Sequence, residues 1–300
     1  MPTPPLLDPG LLTAIGDLEL VARVTVEGTL SGLHNSPFHG YSAEFSQYRH
    51  YRPGDDLKYI DWKLFARTDR LYTKQYRETT NVAAQIVVDA SASMAFAGSG
   101  EPRVVKLDYA RLVAAALAYL IAGQGDAVGL TIYDEAVRHY IPSRTGQTHL
   151  RGVLTALTRM KPGGTTSASA SLRRAVDLLA RRGVVILISD LYDDSDEFES
   201  ELRRAVHIGH EVAVFHVVTR DELEFPYGLD VELEDLESGA TRLTGAGARA
   251  HYRQEFADFL ERWHARCAKY RIDYTRLLTH QPLDAALRGY LMRRSGGAGR

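Results

Sequence analysis

The sequence predicts an α/β protein built on a doubly wound, mostly parallel sheet, and three observations carry that expectation. From residue 82 onward, short apolar runs of strand length alternate with longer segments of helical periodicity. The runs "AAQIVVD", "GVVILISD" and "EVAVFHVVT" are apolar without alternation, as expected of strands buried on both faces. Two of them end in aspartate, Asp89 and Asp190, so polar chemistry is placed at strand ends.

In chain order, "AAQIVVD" reads as a strand and 104–123 as a helix; "AVGLTIYD" and "AVRHYI" read as a strand pair joined by a tight connection. Residues 147–160 and 169–182 read as helices, "GVVILISD" as a strand, 195–208 as a helix and "EVAVFHVVT" as a strand. An acidic polar insertion at 220–244 ("DVELEDLE") is expected to form a hairpin across one edge. A long helix at 246–269, a strand "RIDYTRLL" and a helix at 282–294 close the pattern. Three regions follow: 1–81, a smaller N-terminal segment packed on the sheet domain; 82–294, the α/β domain; and 295–300, a flexible tail. Within the first region, the amphipathic segment "LLDPGLLTAIGDLELVARVTVEG" leads into a polar, aromatic run with little clean periodicity.

With 300 residues, 45% of them hydrophobic and 25% charged, the chain is long enough for a sizeable core. A formal charge of −2 gives no global basic field, which argues against nucleic acid as a partner. The longest apolar run, Leu112–Gly123, is 12 residues, short of the roughly 20 that cross a bilayer. With no basic and apolar leader in "MPTPPLLDPG", the expected setting is cytoplasmic without a membrane span. The single cysteine, Cys267, lies in a helical pattern and has no partner for a disulfide or a metal pair.

The candidate site begins at "VVDASASMAF". After the strand, Asp89 is followed by Ser91 and Ser93 at alternating positions, which an extended segment points the same way. A second hydroxyl source is "KPGGTTSASASL", where Gly163 and Gly164 let the chain turn before Thr165 or Thr166 opens a helix. Hydroxyls backed by carboxylates suit a hard divalent cation that keeps part of its water, magnesium above all, with manganese or calcium as alternatives. Each residue alone is better explained as a turn or helix cap.

In this order and at strand ends, D-x-S-x-S, a threonine after a glycine turn and a later Asp resemble the metal-ion-dependent adhesion site of von Willebrand factor A domains. The resemblance implies that Ser91, Ser93 and Thr166 coordinate an ion directly, that Asp89 and Asp190 act through water, and that an acidic group from a partner completes the shell. The family's spacing from an apolar helix residue, counted back from Leu172, selects Thr166 over Thr165. A second resemblance lies upstream. "FHGYSAEFSQYRHYRPGDDLKYIDWKLFAR" is similar to the family known as domain of unknown function 58 and carries Gly40, Glu44, Phe45, Arg49, Tyr51, Gly54, Asp55, Asp56, Ile60, Asp61, Trp62, Ala66 and Arg67 of its pattern. Lys58 stands where that family usually has arginine. Members of that family are associated with MoxR-type AAA+ ATPases, so the resemblance implies an adaptor for such an ATPase.

Physically, "RPGDD" is a turn followed by two carboxylates, with Arg49, Arg52 and Arg67 at hand to pair them. The run is read either as an ion-pair network fastening this segment to the domain or, from its aromatics, as a partner surface. The histidines have no zinc spacing, "DLYDDSDEFE" reads as a helix opening rather than a calcium loop, and neither a phosphate-binding loop nor a nucleophile elbow is present. The expected function is therefore protein binding rather than catalysis. The alternative, a metal-dependent phosphatase or nuclease, is weakened by Ser91 two residues after Asp89 and by no lysine being evident in the site loops.

Overall fold

The computed structural model describes residues 12, 17–30, 43–52, 60–78, 82–99, 103–166, 168–179, 182–228, 231–245 and 247–297. Its centre is a six-stranded sheet of β3 (Ala83–Asp89), β4 (Ala127–Tyr133), β5 (Val137–Arg144), β6 (Val184–Ser189), β7 (Glu211–Val218) and β10 (Asp273–Leu278). The order is β10-β7-β6-β3-β4-β5, with every neighbouring pair parallel except β4–β5. This is the expected doubly wound α/β sheet, with the von Willebrand A-like arrangement of one antiparallel edge strand. All of β3, β4 and β6 is buried, which is why those runs read as continuously apolar. Pro142 sits in β5, at the edge, where a missing N–H leaves no gap inside the sheet.

Helices cover both faces. On one lie α1 (Leu18–Leu30), α3 (Lys106–Gly123), α4 (Gln147–Arg159) and α9 (Leu283–Gly297), packed in one cluster with Ile86, Val88, Ile186 and Phe215. Helix α3 is buried nearly all round because α1 lies over it, so residues of the N-terminal region complete this layer. On the other face, α5 (Ala168–Asp177), α6 (Asp196–His207) and α8 (Ala248–Lys269) pack on Val87, Val185, Leu187 and Val214. Cys267 lies in this layer, 1% exposed, and burial pushes its thiol up to about 12.

The run without clean periodicity holds β1 (Ala43–His50) and β2 (Tyr72–Glu78), paired antiparallel, with α2 (Trp62–Thr68) between them. The insertion expected at 220–244 contains α7 (Arg220–Glu224) as well as the hairpin of β8 (Glu232–Glu234) and β9 (Thr241–Leu243). Helix α7 forms because Thr219 and Glu222 make a reciprocal capping box. The "DLYDDSDEFE" segment opens a helix as expected: Ser195 caps α6 and accepts from Phe198 N at 3.2 Å. Helix α9 runs to Gly297, past the expected end at 294, and residues 298–300 of the expected tail lie outside the described residues.

Gly129 marks the closest approach of β4 to β5. A Cβ there would stand 2.2 Å from Gln85 Oε1 and 2.7 Å from Ile141 O. The Gln85 amide donates to Thr131 Oγ1 at 3.0 Å and accepts from Ser143 Oγ at 2.9 Å, so it cannot move aside without losing bonds. Gly129→Ala is expected to lower unfolding free energy by about 1–3 kcal/mol through overpacking, read by urea denaturation against the wild type.

Candidate functional site

Strands β3 and β6 are adjacent and parallel, with Val88 opposite Ile188. The chain leaves β3 toward β4 on one side and reaches β6 on the other, so their carboxyl ends flank the switch point at which open sheets bind ligands. The register sets Asp89 beside Ser189, and Ser189 Oγ donates to Asp89 Oδ2 at 2.7 Å. Asp89 Oδ1 accepts from Ser91 N at 2.9 Å, and Tyr133 Oη donates to Oδ2 at 3.3 Å. Ser91 Oγ and Ser93 Oγ are 3.0 Å apart. The threonine loop is tied to this segment by Ala92 N donating to Gly164 O and Gly163 N donating to Ala90 O, both at 2.9 Å. Gly164, at φ +71°, makes the expected turn, and a Cβ there would stand 2.7 Å from Asp134 Oδ2. Thr166 is half-buried and its neighbour Thr165 exposed.

Four of the five expected residues thus sit on loops or strand ends at the carboxyl edge of the sheet, whereas Ser93 lies in a one-turn 3-10 helix (Ala92–Ala95), capped by Ser91, that takes the place of the expected extended segment. Their electrostatics are unusual. Burial and the nearby Asp190 charge raise Asp89 to about 7, against hydrogen bonds from Ser189 and Ser91 that lower it. Asp190 Oδ1 is buried and has no hydrogen-bond partner. The backbone immediately after it is strained, with Leu191 at φ +59° while fully buried. Two close carboxylates, one with an orphaned oxygen, beside three hydroxyls form a donor set that fits a hard divalent cation. Among the described residues no group of three or more His, Cys, Asp or Glu side chains is placed to hold a metal, and this set has only two carboxylates.

A lysine reaches the site from a helix rather than from the site loops. Lys106, the first residue of α3, is fully buried, with Nζ 2.7 Å from Asp190 Oδ2 and 2.8 Å from Glu222 Oε1. Burial alone would lower Lys106, but the charges of Asp190 and Glu222 outweigh it and hold the ammonium above the ordinary lysine range. Burial would raise Glu222, and the Lys106 charge holds it below the usual carboxylate range. The Nζ lies 4.8 Å from the Tyr192 ring centroid and 5.8 Å from that of Phe96. The signal in the sequence was slight: a lysine in the first turn, where the helix dipole disfavours it, calls for a compensating acid.

The upstream motif divides. Asp61 is the N-cap of α2, accepting from Lys63 N and Leu64 N at 3.0 Å each, and Tyr48 Oη donates to it at 2.9 Å. Tyr51 N donates to Leu71 O at 3.0 Å, so this tyrosine continues the β1–β2 pairing. Arg49 lies in β1, and Arg67 is exposed in the last turn of α2. Trp62 is 59% exposed, and its ring meets that of Phe65 edge-on. Gly54, Asp55 and Asp56, and with them the "RPGDD" turn, lie outside the described residues.

Residues 47–265 match the family described as "Protein of unknown function DUF58". The chain belongs to this family. An uncharacterised protein of Mycobacterium tuberculosis (strain H37Rv) is 33% identical over 239 residues, 78% of this chain and 74% of that protein. Among solved structures, an aerotolerance-related membrane protein from Bacteroides fragilis covers 72% of this chain and 99% of its own at 17% identity and a TM-score of 0.47. The vWF domain of the type V pili tip protein Mfa5 from Porphyromonas gingivalis covers 73% of this chain and 95% of its own at 13% identity and a TM-score of 0.34. These overlays are a likeness only, and the fold class rests on the order and register of the sheet itself.

One expectation is corrected here. The partner set drawn up without a membrane does not stand, because the structures similar to this DUF58 chain include one described as a membrane protein. Among the described residues no helix is long and apolar enough to cross a membrane, which is no ground for setting membranes aside.

Three substitutions separate structural from surface roles. Lys106→Met leaves Asp190 and Glu222 buried without a counter-charge and is expected to cost about 3–5 kcal/mol, read by thermal and urea unfolding. In the upstream motif, Asp61→Ala should cost about 1 kcal/mol through the lost cap, whereas Trp62→Ala should stay within about 0.5 kcal/mol.

Proposed function

We propose that this DUF58 protein is a binding module that holds a magnesium-type ion at Ser91, Ser93 and Thr166, backed by Asp89 and Asp190, and presents it to an acidic group on a protein partner. The observation that carries the reading is the buried, unpartnered Asp190 Oδ1 beside Asp89 at the switch point. A dication relieves the repulsion between the two carboxylates. Because most of its direct ligands would be neutral hydroxyls, it would keep net positive charge, and a carboxylate is the natural counterpart. The finer implication of the family resemblance, an adaptor serving a MoxR-type AAA+ ATPase, supplies one identity for that partner.

A second reading, a metal-dependent phosphatase or nuclease, gains one observation in Lys106. Its ammonium is committed to Asp190 and Glu222, and Ser91 stands two residues after Asp89. A panel of phosphate esters with magnesium separates the readings: turnover above background would replace the binding module with a hydrolase.

Titration calorimetry should show magnesium binding by the wild type that weakens at least about tenfold in Asp89→Asn, while circular dichroism shows the fold intact. In pull-downs from soluble and membrane fractions of the source cell, partner recovery should fall with chelator and with Asp89→Asn. Recovery unaffected by both would remove the ion from the account.

A further inference from the structure

We infer that Glu237, in the turn between β8 and β9, is the resident acidic occupant of this site, and that its hairpin is a latch which an incoming acidic group displaces. The inference rests on the metal-binding reading above.

The contact is two-pronged and spans 71 residues of sequence: Thr166 Oγ1 donates to Glu237 Oε1 at 2.7 Å, and Thr166 N donates to Oε2 at 3.3 Å. A hydroxyl that gives its single hydrogen to Glu237 keeps its lone pairs for a cation, so a latched Thr166 remains able to coordinate. The turn is built to hold Glu237 at its tip. Asp235 Oδ1 accepts from Glu237 N at 2.9 Å and Ser238 N at 3.2 Å, and Gly239 takes φ +70° to close it. At the other end, Thr244 Oγ1 accepts from Val231 N at 2.9 Å and donates to Gly228 O at 3.0 Å, which anchors the base of the hairpin.

Between base and tip the hairpin roofs a cavity of about 550 Å³, lined by Ser93, Lys106, Tyr192, Glu222, Leu233 and Glu237 among others. One wall therefore belongs to the candidate ion site and the opposite wall to the hairpin. The strands are three residues each, and Leu243 is 71% exposed. So short a pair buries too little to stand alone. Its position over the site then depends on the Glu237–Thr166 contact and the anchored base, which is the construction of a part that opens. Glu237 also has the chemistry of the proposed partner group, a carboxylate placed on a candidate ion ligand.

The test uses the full chain with magnesium alone as probe, comparing wild type, Glu237→Ala and Glu237→Gln. Amide exchange over residues 231–244 is read by mass spectrometry in magnesium and in chelator, beside calorimetric magnesium titrations. In the wild type, magnesium should slow exchange in the hairpin. Glu237→Ala should abolish that slowing, speed hairpin exchange even in chelator, and weaken magnesium binding about tenfold. Glu237→Gln retains an acceptor for Thr166, so it should keep hairpin protection in chelator yet lose the magnesium-dependent slowing. Equal magnesium affinity in wild type and Glu237→Ala, with hairpin exchange indifferent to the ion, would overturn the latch and leave the ion site standing. Absence of magnesium binding in all three proteins would overturn both.

Discussion

A lysine ammonium buried between two carboxylates is the constraint around which the functional edge is organised. Lys106 begins α3, Asp190 follows β6, and Glu222 lies in α7, so one ion cluster fixes the relative positions of three elements far apart in sequence. None of the three charges is well solvated, and each is tolerable only while the others stay in place. The capping box of α7 serves the same end, since Glu222 Oε2 accepts from Thr219 N at 2.7 Å while Oε1 meets Lys106. The Tyr192 hydroxyl donates to that Oε1 at 2.7 Å, which extends the cluster into the loop after Asp190.

Against that anchor, Asp89 and the free oxygen of Asp190 stand out. Lys106 compensates one oxygen of Asp190 and leaves the other, while among the described residues Asp89 is held by hydroxyls and a backbone N–H. The parallel pairing of β3 with β6 forces this proximity, because both strands end at the same edge. The two carboxylates thus stand next to hydroxyl oxygens and near a hairpin that carries a carboxylate of its own, Glu237, and on the function proposed above one acidic group would exchange for another. Both carboxylates are buried and the lysine is doubly paired.

The upstream motif has a different character. Asp61 caps a short helix with no buried residues of its own, and the aromatic beside it, Trp62, faces solvent. One residue of the motif therefore shapes a local turn, and the next offers an exposed ring of the kind enriched at interfaces. The carboxylates of the expected ion-pair network, Asp55 and Asp56, lie outside the described residues.

Much of the sheet domain was legible in the residue order. Short apolar runs rich in β-branched residues read as strands buried on both sides, and their alternation with helical periods implies parallel pairing, so β3, β6 and β7 and the helices between them follow from local pattern. The placement of Asp89 and Asp190 at the ends of neighbouring strands was legible as well, because each closes an apolar run. Elements β1, α2 and β2 were not, since the run that holds them, "SAEFSQYRHYRPGDDLKYIDWKLFARTDRLYTKQYRE", mixes polar and aromatic residues without a clean period of two or 3.6. What only the tertiary structure decided is charge balance: that Lys106 meets Asp190 and Glu222 across 84 and 116 residues, and that Glu237 meets Thr166 across 71. Such pairings depend on where strand order and loop length deliver a side chain. Sequence determines the elements through interactions of short range, whereas the partner of a buried charge is set by the packing of the whole chain.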